Sequence, residues 1–333
     1  MIRLRTRMII ILSAFAIEII NNKPAEAELT LKIGTLAPVG TEWYELLDNF
    51  TKKVREKTDK IKITIYPGGI MGDEEEMIRK IRIGQLHGGG FTTYGIKRIA
   101  KELGAFDLPL LFHNYSEVDK VIGKFRDKIE SYFQKSGYKL LVLSEQGFGY
   151  FFTKRQDISG FRDLSKTRIW GWKGEETIIK TIKIIGTVPI HIPVPDVLGA
   201  LETGMIESFD VSPMGCLGLQ WCKLAKTMID HPLRYELGVV IIQEQFWNTI
   251  PQDIKKVLED VAEEEEKKFL SKIRSANEKA KVKIKDMGVK FVKPTDEDIK
   301  WFESEIKKSL WSETESEILQ EILKEIEKIR KGG

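Results

Sequence analysis

Leu29-Thr-Leu-Lys-Ile-Gly-Thr35, then Thr41-Glu-Trp-Tyr-Glu-Leu-Leu-Asp-Asn-Phe50, then Lys60-Ile-Lys-Ile-Thr-Ile-Tyr66 decide the fold class. Leu29–Ile33 alternates apolar and polar residues, the period of a strand with one buried face. Thr41 is placed to cap a helix in which Trp43, Leu46, Leu47, Phe50 and Val54 recur at helical spacing. Ile61, Ile63 and Ile65 return to period two, and Pro67-Gly68-Gly69 ends that strand. Asp73 with Glu76 then resembles a capping box opening a helix that carries Met77, Ile78 and Ile81. A β-α-β-α opening points to an α/β fold with ligands near the strand ends.

The same reading extends along the chain. Leu140–Ser144 is a short apolar strand, and the glycine- and aromatic-rich Glu145–Phe152 is read as the first crossing between two domains. A helix is expected at Glu175–Ile185, a strand at Val188–Ile192, a helix near Pro195–Thr203 and a strand around Ile206–Val211. From Pro251 a helical pattern runs to Gly288 through Ile254, Val257, Leu258, Val261, Phe269, Ile273, Ala276 and Ala280. The acidic run Glu263–Glu266 reads as its solvated face. A last helix follows Thr295 and runs to Ile329.

At 333 residues two domains are the natural expectation. The 53 basic and 50 acidic residues balance to +3, and the composition, 42% hydrophobic with no low-complexity tract, is that of a folded protein. Residues 1–27 hold four of the basic and two of the acidic residues, so the remainder carries +1. That charge offers no footprint for nucleic acid. Arg3, Arg5 and Arg7, the short apolar run Met8–Ile17 and the small residues of Ala25-Glu26-Ala27 read as a secretory signal cleaved after Ala27, which predicts a periplasmic protein. The run is short for a membrane span, and no cysteine is present there for a lipid anchor. Cys216 and Cys222 lie six apart in a segment that reads helical, on different faces, which predicts two buried free cysteines rather than a disulfide.

No enzymatic signature emerges. A nucleophile elbow, a phosphate-binding glycine loop and a His-Glu-x-x-His helix are all missing, and Gly88-Gly89-Gly90 lacks dinucleotide spacing. Those glycines fit a strand whose backbone approaches something closely. His87, His113, His191 and His231 are scattered without metal-ligand spacing, so neither catalysis, a metal nor a cofactor is expected.

An ordered set of markers does carry a functional message. Ile33-Gly-Thr-Leu-Ala-Pro38 precedes Gly40-Thr-Glu-Trp43, and Tyr66-Pro-Gly-Gly69 precedes Met71-Gly-Asp-Glu-Glu-Glu-Met77. Asp107-Leu-Pro-Leu-Leu-Phe112, Asp163-Leu164, Ala200-Leu-Glu-Thr-Gly204 and Phe246-Trp247 follow. In order and spacing the chain resembles the DctP-type substrate-binding proteins of tripartite ATP-independent periplasmic (TRAP) transporters over nearly its whole length. The resemblance implies a two-lobed, type II-like periplasmic-binding-protein fold: two α/β domains joined by crossing strands and braced by a long C-terminal helix. It implies domains at 28–147 plus about 233–270 and at 148–232 plus about 271–333. It further implies a monomeric receptor that closes on a small organic ligand and delivers it to a membrane permease.

The resemblance also locates ligand contacts. Where the best-known members place a carboxylate-binding arginine this chain has Trp170, and the family's second basic contact corresponds to Tyr150. The asparagine before the family's proline corresponds to Ser212. These departures suggest an organic acid with aromatic or hydrophobic character. Tyr150, Trp170, Trp172 and Phe209 are candidate walls. Thr92, Thr93, Lys173, Asp210 and Ser212 are candidate polar contacts. Arg168, two residues before Trp170, shares its face in a strand and is a candidate replacement for the arginine. Two other readings stand beside this one: a periplasmic sensor presenting its ligand to a membrane kinase or chemoreceptor, and an enzyme on a receptor-like fold.

Overall fold

The computed structural model describes residues 29–312 and 316–332. The expected signal segment lies outside the described residues. Among the described residues ten strands form: β1 Leu29–Thr35, β2 Ile61–Tyr66, β3 Gly88–Thr92, β4 Tyr138–Thr153, β5 Trp170–Gly171, β6 Ile190–His191, β7 Ser208–Val211, β8 Thr227–Ile229, β9 Arg234–Gln243 and β10 Lys290–Val292. Eight share one sheet in the order β10-β8-β4-β9-β3-β1-β2, with β7 also on β4, while β5 and β6 pair separately.

Two long antiparallel strands hold the two lobes together. β4 and β9 pair from Tyr138 opposite Gln243 to Gly149 opposite Arg234, with irregularities at Leu140/Val142 and Glu145/Gly147. β4 then runs on to pair with β7 and β8. The stretch Glu145–Phe152 is therefore strand, continuous with the apolar run before it. Gly147 takes φ +93° at the irregularity, and a Cβ there would meet the Asn277 amide nitrogen at 2.7 Å. Glycine serves both demands. The reading of Gly88–Gly90 as a closely approached strand holds, because a Cβ on Gly88 would lie 2.4 Å from the Ile241 carbonyl oxygen of β9.

Helix Glu42–Lys57 buries Trp43, Leu46, Leu47, Phe50 and Val54, and Thr41 caps it by accepting from the Tyr44 N–H. Helix Glu74–Arg82 buries Met77, Ile78 and Ile81. Its cap differs from the expected box. Asp73 accepts from the Glu74 N–H, while Glu76 pairs with Arg79 instead of reaching back. The expected long helix runs from Gln252 to Asp286 over 35 residues. It touches both ends of the sheet: Phe269 packs edge-on against Trp43, and Asn277 accepts from the Met214 N–H and donates to the Gln146 carbonyl. The expected last helix is interrupted. Asp296–Ile306 leads into a π turn at Lys307–Trp311, and a separate helix spans Glu317–Lys331. Among the described residues no helix is long and apolar enough to cross a membrane.

The cysteine expectation is overturned: Cys216 and Cys222 form a disulfide. The segment is not one regular helix. Helix Pro213–Gly218 ends, Gln220 takes the left-handed conformation at φ 65°, and a 3-10 turn begins at Trp221. The fold-back brings the two Cα atoms to 5.2 Å, within disulfide reach. On a straight helix, six residues would separate them by about 9 Å.

Candidate functional site

A cavity of about 100 Å³ opens between β1, β3, β7, β9 and the segment Trp170–Trp221. Two facing strands build its polar floor. In β9, Arg234 and Glu236 are two residues apart and so share a face. Asp210 reaches the same spot from β7, and Asp107 from the end of the turn Lys101–Asp107. Gly149 of β4 leaves the room: a Cβ there would sit 3.1 Å from a Glu236 carboxylate oxygen.

Arg234 is the hub of this network. Its Nη1 donates to both Asp107 oxygens at 2.8 and 2.9 Å, and its Nε donates to Asp210 at 2.9 Å. Its Nη2 lies 2.8 Å from Asp210 and 3.0 Å from Glu236. All three nitrogens of the planar fork therefore face protein carboxylates. Lys97 adds a second cation, 2.9 Å from Asp107 and paired with Glu175. Buried Arg234 and partly buried Lys97 thus face Asp107, Glu175, Asp210 and Glu236. Burial pushes the Glu236 carboxyl up to about 7 against the pull of Arg234, with Asp210 and Asp107 adding repulsion. Burial is countered at Arg234 by those same carboxylates, which hold it firmly charged.

Glu74 contributes a further carboxyl from the opposite wall. Its oxygens accept from the Thr92 and Gly95 N–H groups at 2.8 and 2.7 Å and from the Thr92 hydroxyl at 3.2 Å. Burial nevertheless raises it to about 8, opposed by those hydrogen bonds and reinforced by Asp73.

The remaining walls are aromatic. Trp170 is buried, donates to the Ile192 carbonyl at 2.8 Å and meets Trp221 edge-on at 5.3 Å. Trp172 stacks on Tyr94 at 4.3 Å and donates to the Asp73 carboxylate at 2.8 Å, a contact from one side of the cleft to the other. The Lys173 carbonyl accepts from Tyr94 and Arg98 at 3.1 and 2.7 Å, and Asp73 also accepts from the Val194 N–H. Trp43 lies over Gly238 and donates to the Glu145 carbonyl at 3.2 Å.

Of the residues singled out from sequence, Thr92, Trp170, Trp172, Asp210 and Ser212 line this cavity. The other five do not. Thr93 is buried and ties its helix to β9 through the Leu237 N–H. Tyr150 turns toward the long helix, where Lys281 sits 4.8 Å over its ring. Phe209 lies beneath the cavity, stacked on Phe152 and edge-on to Trp221. Lys173 is exposed, and only its backbone takes part in the cross-cleft contacts.

Arg168 does not replace the family's arginine at the cleft. It is exposed and bonds the Gly204 carbonyl and Glu207, because its segment forms only an isolated bridge at Ile169 rather than a strand that would aim it inward. The arginine that lines the cleft is Arg234. Sequence reasoning passed over it, although two opposite charges two apart inside an apolar strand, Arg234-Tyr-Glu236, mark a polar patch on one face. Trp43 and Trp221, read as core, are buried and also line the cavity.

Among the described residues no group of three or more His, Cys, Asp or Glu is arranged to hold a metal ion. The arrangement is a desolvated recess with aromatic walls and a fixed ionic floor, suited to holding a small molecule.

Comparison with known proteins agrees with this architecture. Residues 33–317 match the family described as bacterial extracellular solute-binding protein, family 7, also called DctP. The C4-dicarboxylate-binding periplasmic protein DctP of Rhodobacter capsulatus is 24% identical over 238 residues, covering 68% of each chain. An uncharacterized protein of Haemophilus influenzae is 24% identical over 187 residues, 56% of this chain and 57% of that one. The sugar acid binding protein of Advenella mimigardefordensis, in complex with galactonate, superposes with a TM-score of 0.83 at 21% identity, over 90% of this chain and 98% of its own. The match to the family model spans most of the chain, and this protein belongs to the family 7 bacterial extracellular solute-binding proteins.

Proposed function

We propose that this protein is the extracytoplasmic receptor of a TRAP transporter: it captures one small organic molecule in the cleft by hinge closure and hands it to the membrane permease. The observation that carries the reading is the cleft itself, a recess enclosed by tryptophans and a buried ionic floor and spanned by the Trp172–Asp73 contact. β4 and β9 serve as the hinge, and the contacts of Asp73, Tyr94 and Arg98 with the Trp172–Val194 side hold the closed form. The receptor binds without turning its ligand over, and it works as a monomer. The relatives' cargo, dicarboxylates and sugar acids, supports a small organic acid as the ligand class.

We place the domains at 28–147 with about 233–270 and at 148–232 with about 271–333, so that β4 and β9 cross between them. The ligand contacts are Thr92, Trp170, Trp172, Asp210 and Ser212 together with Glu74, Trp221, Arg234 and Glu236. The mature periplasmic chain starts at Glu28, after removal of residues 1–27, and mass spectrometry of the secreted protein gives that N-terminus. A thermal-shift screen of the mature chain against a broad library of small metabolites tests the receptor function. Stabilisation by one compound class is expected; a library without a single stabilising compound overturns it.

A further inference from the structure

We infer that the cleft takes a monocarboxylic acid with a compact apolar body, and that Glu236 receives its carboxylate across one shared proton, in place of an arginine. The inference rests on the receptor reading and deepens it, naming the substrate class and the group that recognises it. Among the described residues Arg234 is the only arginine or lysine lining the cavity. Its fork is occupied, because each nitrogen already lies within 3.0 Å of Asp107, Asp210 or Glu236. Glu236 is only half engaged. Its Oε1 lies 3.0 Å from the Arg234 Nη2, and its other oxygen has no partner among the described residues. Among those residues only the Ser144 hydroxyl is both fully enclosed and unpartnered. The second Glu236 oxygen therefore has open space beside it, and that space is the cavity Glu236 lines.

The other polar groups of the cavity suit the remaining lone pairs of a carboxylate. Trp221, only 2% exposed, has an indole N–H with no acceptor among the described residues, whereas Trp43, Trp170 and Trp172 each have one. Buried indole N–H groups usually find a partner, so this donor is left for a ligand oxygen. The Ser212 hydroxyl accepts from the Gly215 N–H at 3.2 Å, and its own hydrogen has no acceptor among the described residues. Both are neutral donors, and both oxygens of a carboxylate accept. Phe91, Trp170, Trp172 and Leu219 make much of the remaining lining apolar. A hydroxylated body, or one with a second carboxylate, would lose its water there without gaining partners. The space, about 100 Å³, admits only a compact body.

The charge balance requires the proton. Glu236 faces Arg234 on its own strand, Asp210 on β7, Asp107 from the turn Lys101–Asp107, and partly buried Lys97, which also holds Glu175. β4 approaches with Gly149, which carries no side chain. On the opposite wall Glu74 faces Asp73 and the donors of Thr92 and Gly95. Burial holds Glu236 near 7 and Glu74 near 8, so below neutrality both are largely uncharged and Glu236 offers an O–H. A ligand carboxylate against that O–H makes a charge-assisted hydrogen bond. Against an ionised Glu236 it would meet like charge, and two carboxylates in one site keep a proton between them. Where Glu236 is ionised, that proton comes from solvent on binding. Affinity therefore falls as pH rises through 7.

The test is calorimetric titration of the mature full chain with benzoate and 3-methylbutanoate, with benzamide and 3-methylbutanamide as neutral counterparts, and with succinate. At least one monocarboxylate binds, and about tenfold more weakly at pH 8 than at pH 6, the change in protonated Glu236 for a group near 7. At pH 8, buffers of different ionisation enthalpy show about one proton taken up per ligand. The matching amide pairs with either form of Glu236, so its affinity changes by less than about twofold. Succinate binds about tenfold or more weakly than the monocarboxylate at pH 6. Glu236→Gln replaces the shared proton with a fixed N–H donor. That variant binds the monocarboxylate more tightly than the natural chain at pH 8, and its pH dependence shrinks to about twofold, the part left to Glu74 near 8. If the variant does not fold, proton uptake by the natural chain decides. Affinity equal or higher at pH 8, or no proton uptake, overturns the shared proton. Succinate binding as tightly as the monocarboxylate overturns the substrate class and leaves the receptor function standing. No heat from either monocarboxylate also overturns the class, and the receptor function falls with it only when the broad metabolite screen is blank as well.

Discussion

Arg234→Met removes the hub of the buried network and keeps most of the side chain's length and apolar stem. Three carboxylates lose their partner, but unequally. Asp107 keeps Lys97 at 2.9 Å, and Glu236, at about 7, carries a proton much of the time near neutrality. Asp210 is left with neither aid, since among the described residues its ion pair is with Arg234 alone. The loss therefore corresponds to one fully orphaned buried pair, about 3–5 kcal/mol. For a chain of this size that is about 10 °C in the unfolding midpoint. The loss depends on pH. Without the guanidinium, Glu236, already raised by burial, loses the cation that opposes the rise. Stability from such raised groups is full at low pH and is lost as pH rises through the folded value. The gap between variant and natural chain is therefore wide at pH 8 and narrower at pH 5. Differential scanning calorimetry at both values measures it. A gap under about 3 °C at pH 8, or an equal gap at both, refutes the account of Arg234 as a buried counter-charge. Arg234→Lys falls in between, because a point charge cannot serve three carboxylates as a fork does.

Other expectations follow from the same geometry. Trp172→Phe keeps the stack on Tyr94 but loses the N–H donated to Asp73 across the cleft. It shifts the closure equilibrium by about tenfold and lowers ligand affinity by a similar factor; unchanged affinity, together with unchanged small-angle scattering of the liganded chain, speaks against a latch. Reduction of Cys216–Cys222, which closes a loop of sequence separation 6, costs about 2 kcal/mol. A drop of about 5 °C in the midpoint with reductant is expected, and none is expected in a Cys216→Ser, Cys222→Ser double variant. For the natural chain the raised values of Glu236 and Glu74, about 7 and about 8 against an ordinary 4.5, give stability that is full below the ordinary carboxylate range. That stability is lost as pH climbs through 7 to 8. The ligand-free midpoint falls from pH 6 to pH 9, and a flat profile contradicts the burial of these groups.

The elements legible in the sequence were those whose burial is periodic. The helices at Glu42–Lys57 and Gln252–Asp286 and the strands β1 and β2 each bury a regular stripe, so local pattern and tertiary packing agree. β4 was read short because Gly147, Gly149 and the aromatics between them resemble a loop. They are strand because β9 supplies a partner along the whole length and the irregularity at Glu145/Gly147 absorbs the mismatch. The disulfide was missed because the left-handed Gln220, a non-glycine residue, gives no sign of the turn. Within the site, Trp170 and Ser212 were reached through resemblance to the family, and Trp172 and Asp210 through their chemistry as an aromatic wall and a polar contact. Glu74 was hidden in a run of three glutamates, of which only the first is buried. Trp221 and Trp43 carried the signature of core residues because they are core on one side and cleft on the other. Arg168 looked eligible by spacing, but spacing defines a face only where a strand exists.

The most direct test of the central claim is native mass spectrometry of the mature chain purified from the periplasm of the cells that make it. One small molecule per chain, released intact on denaturation and rebound at one to one by the refolded protein, is the result this account predicts. A chain that carries nothing and takes up nothing from the same cells' metabolite extract, or one that returns the molecule chemically altered, contradicts it.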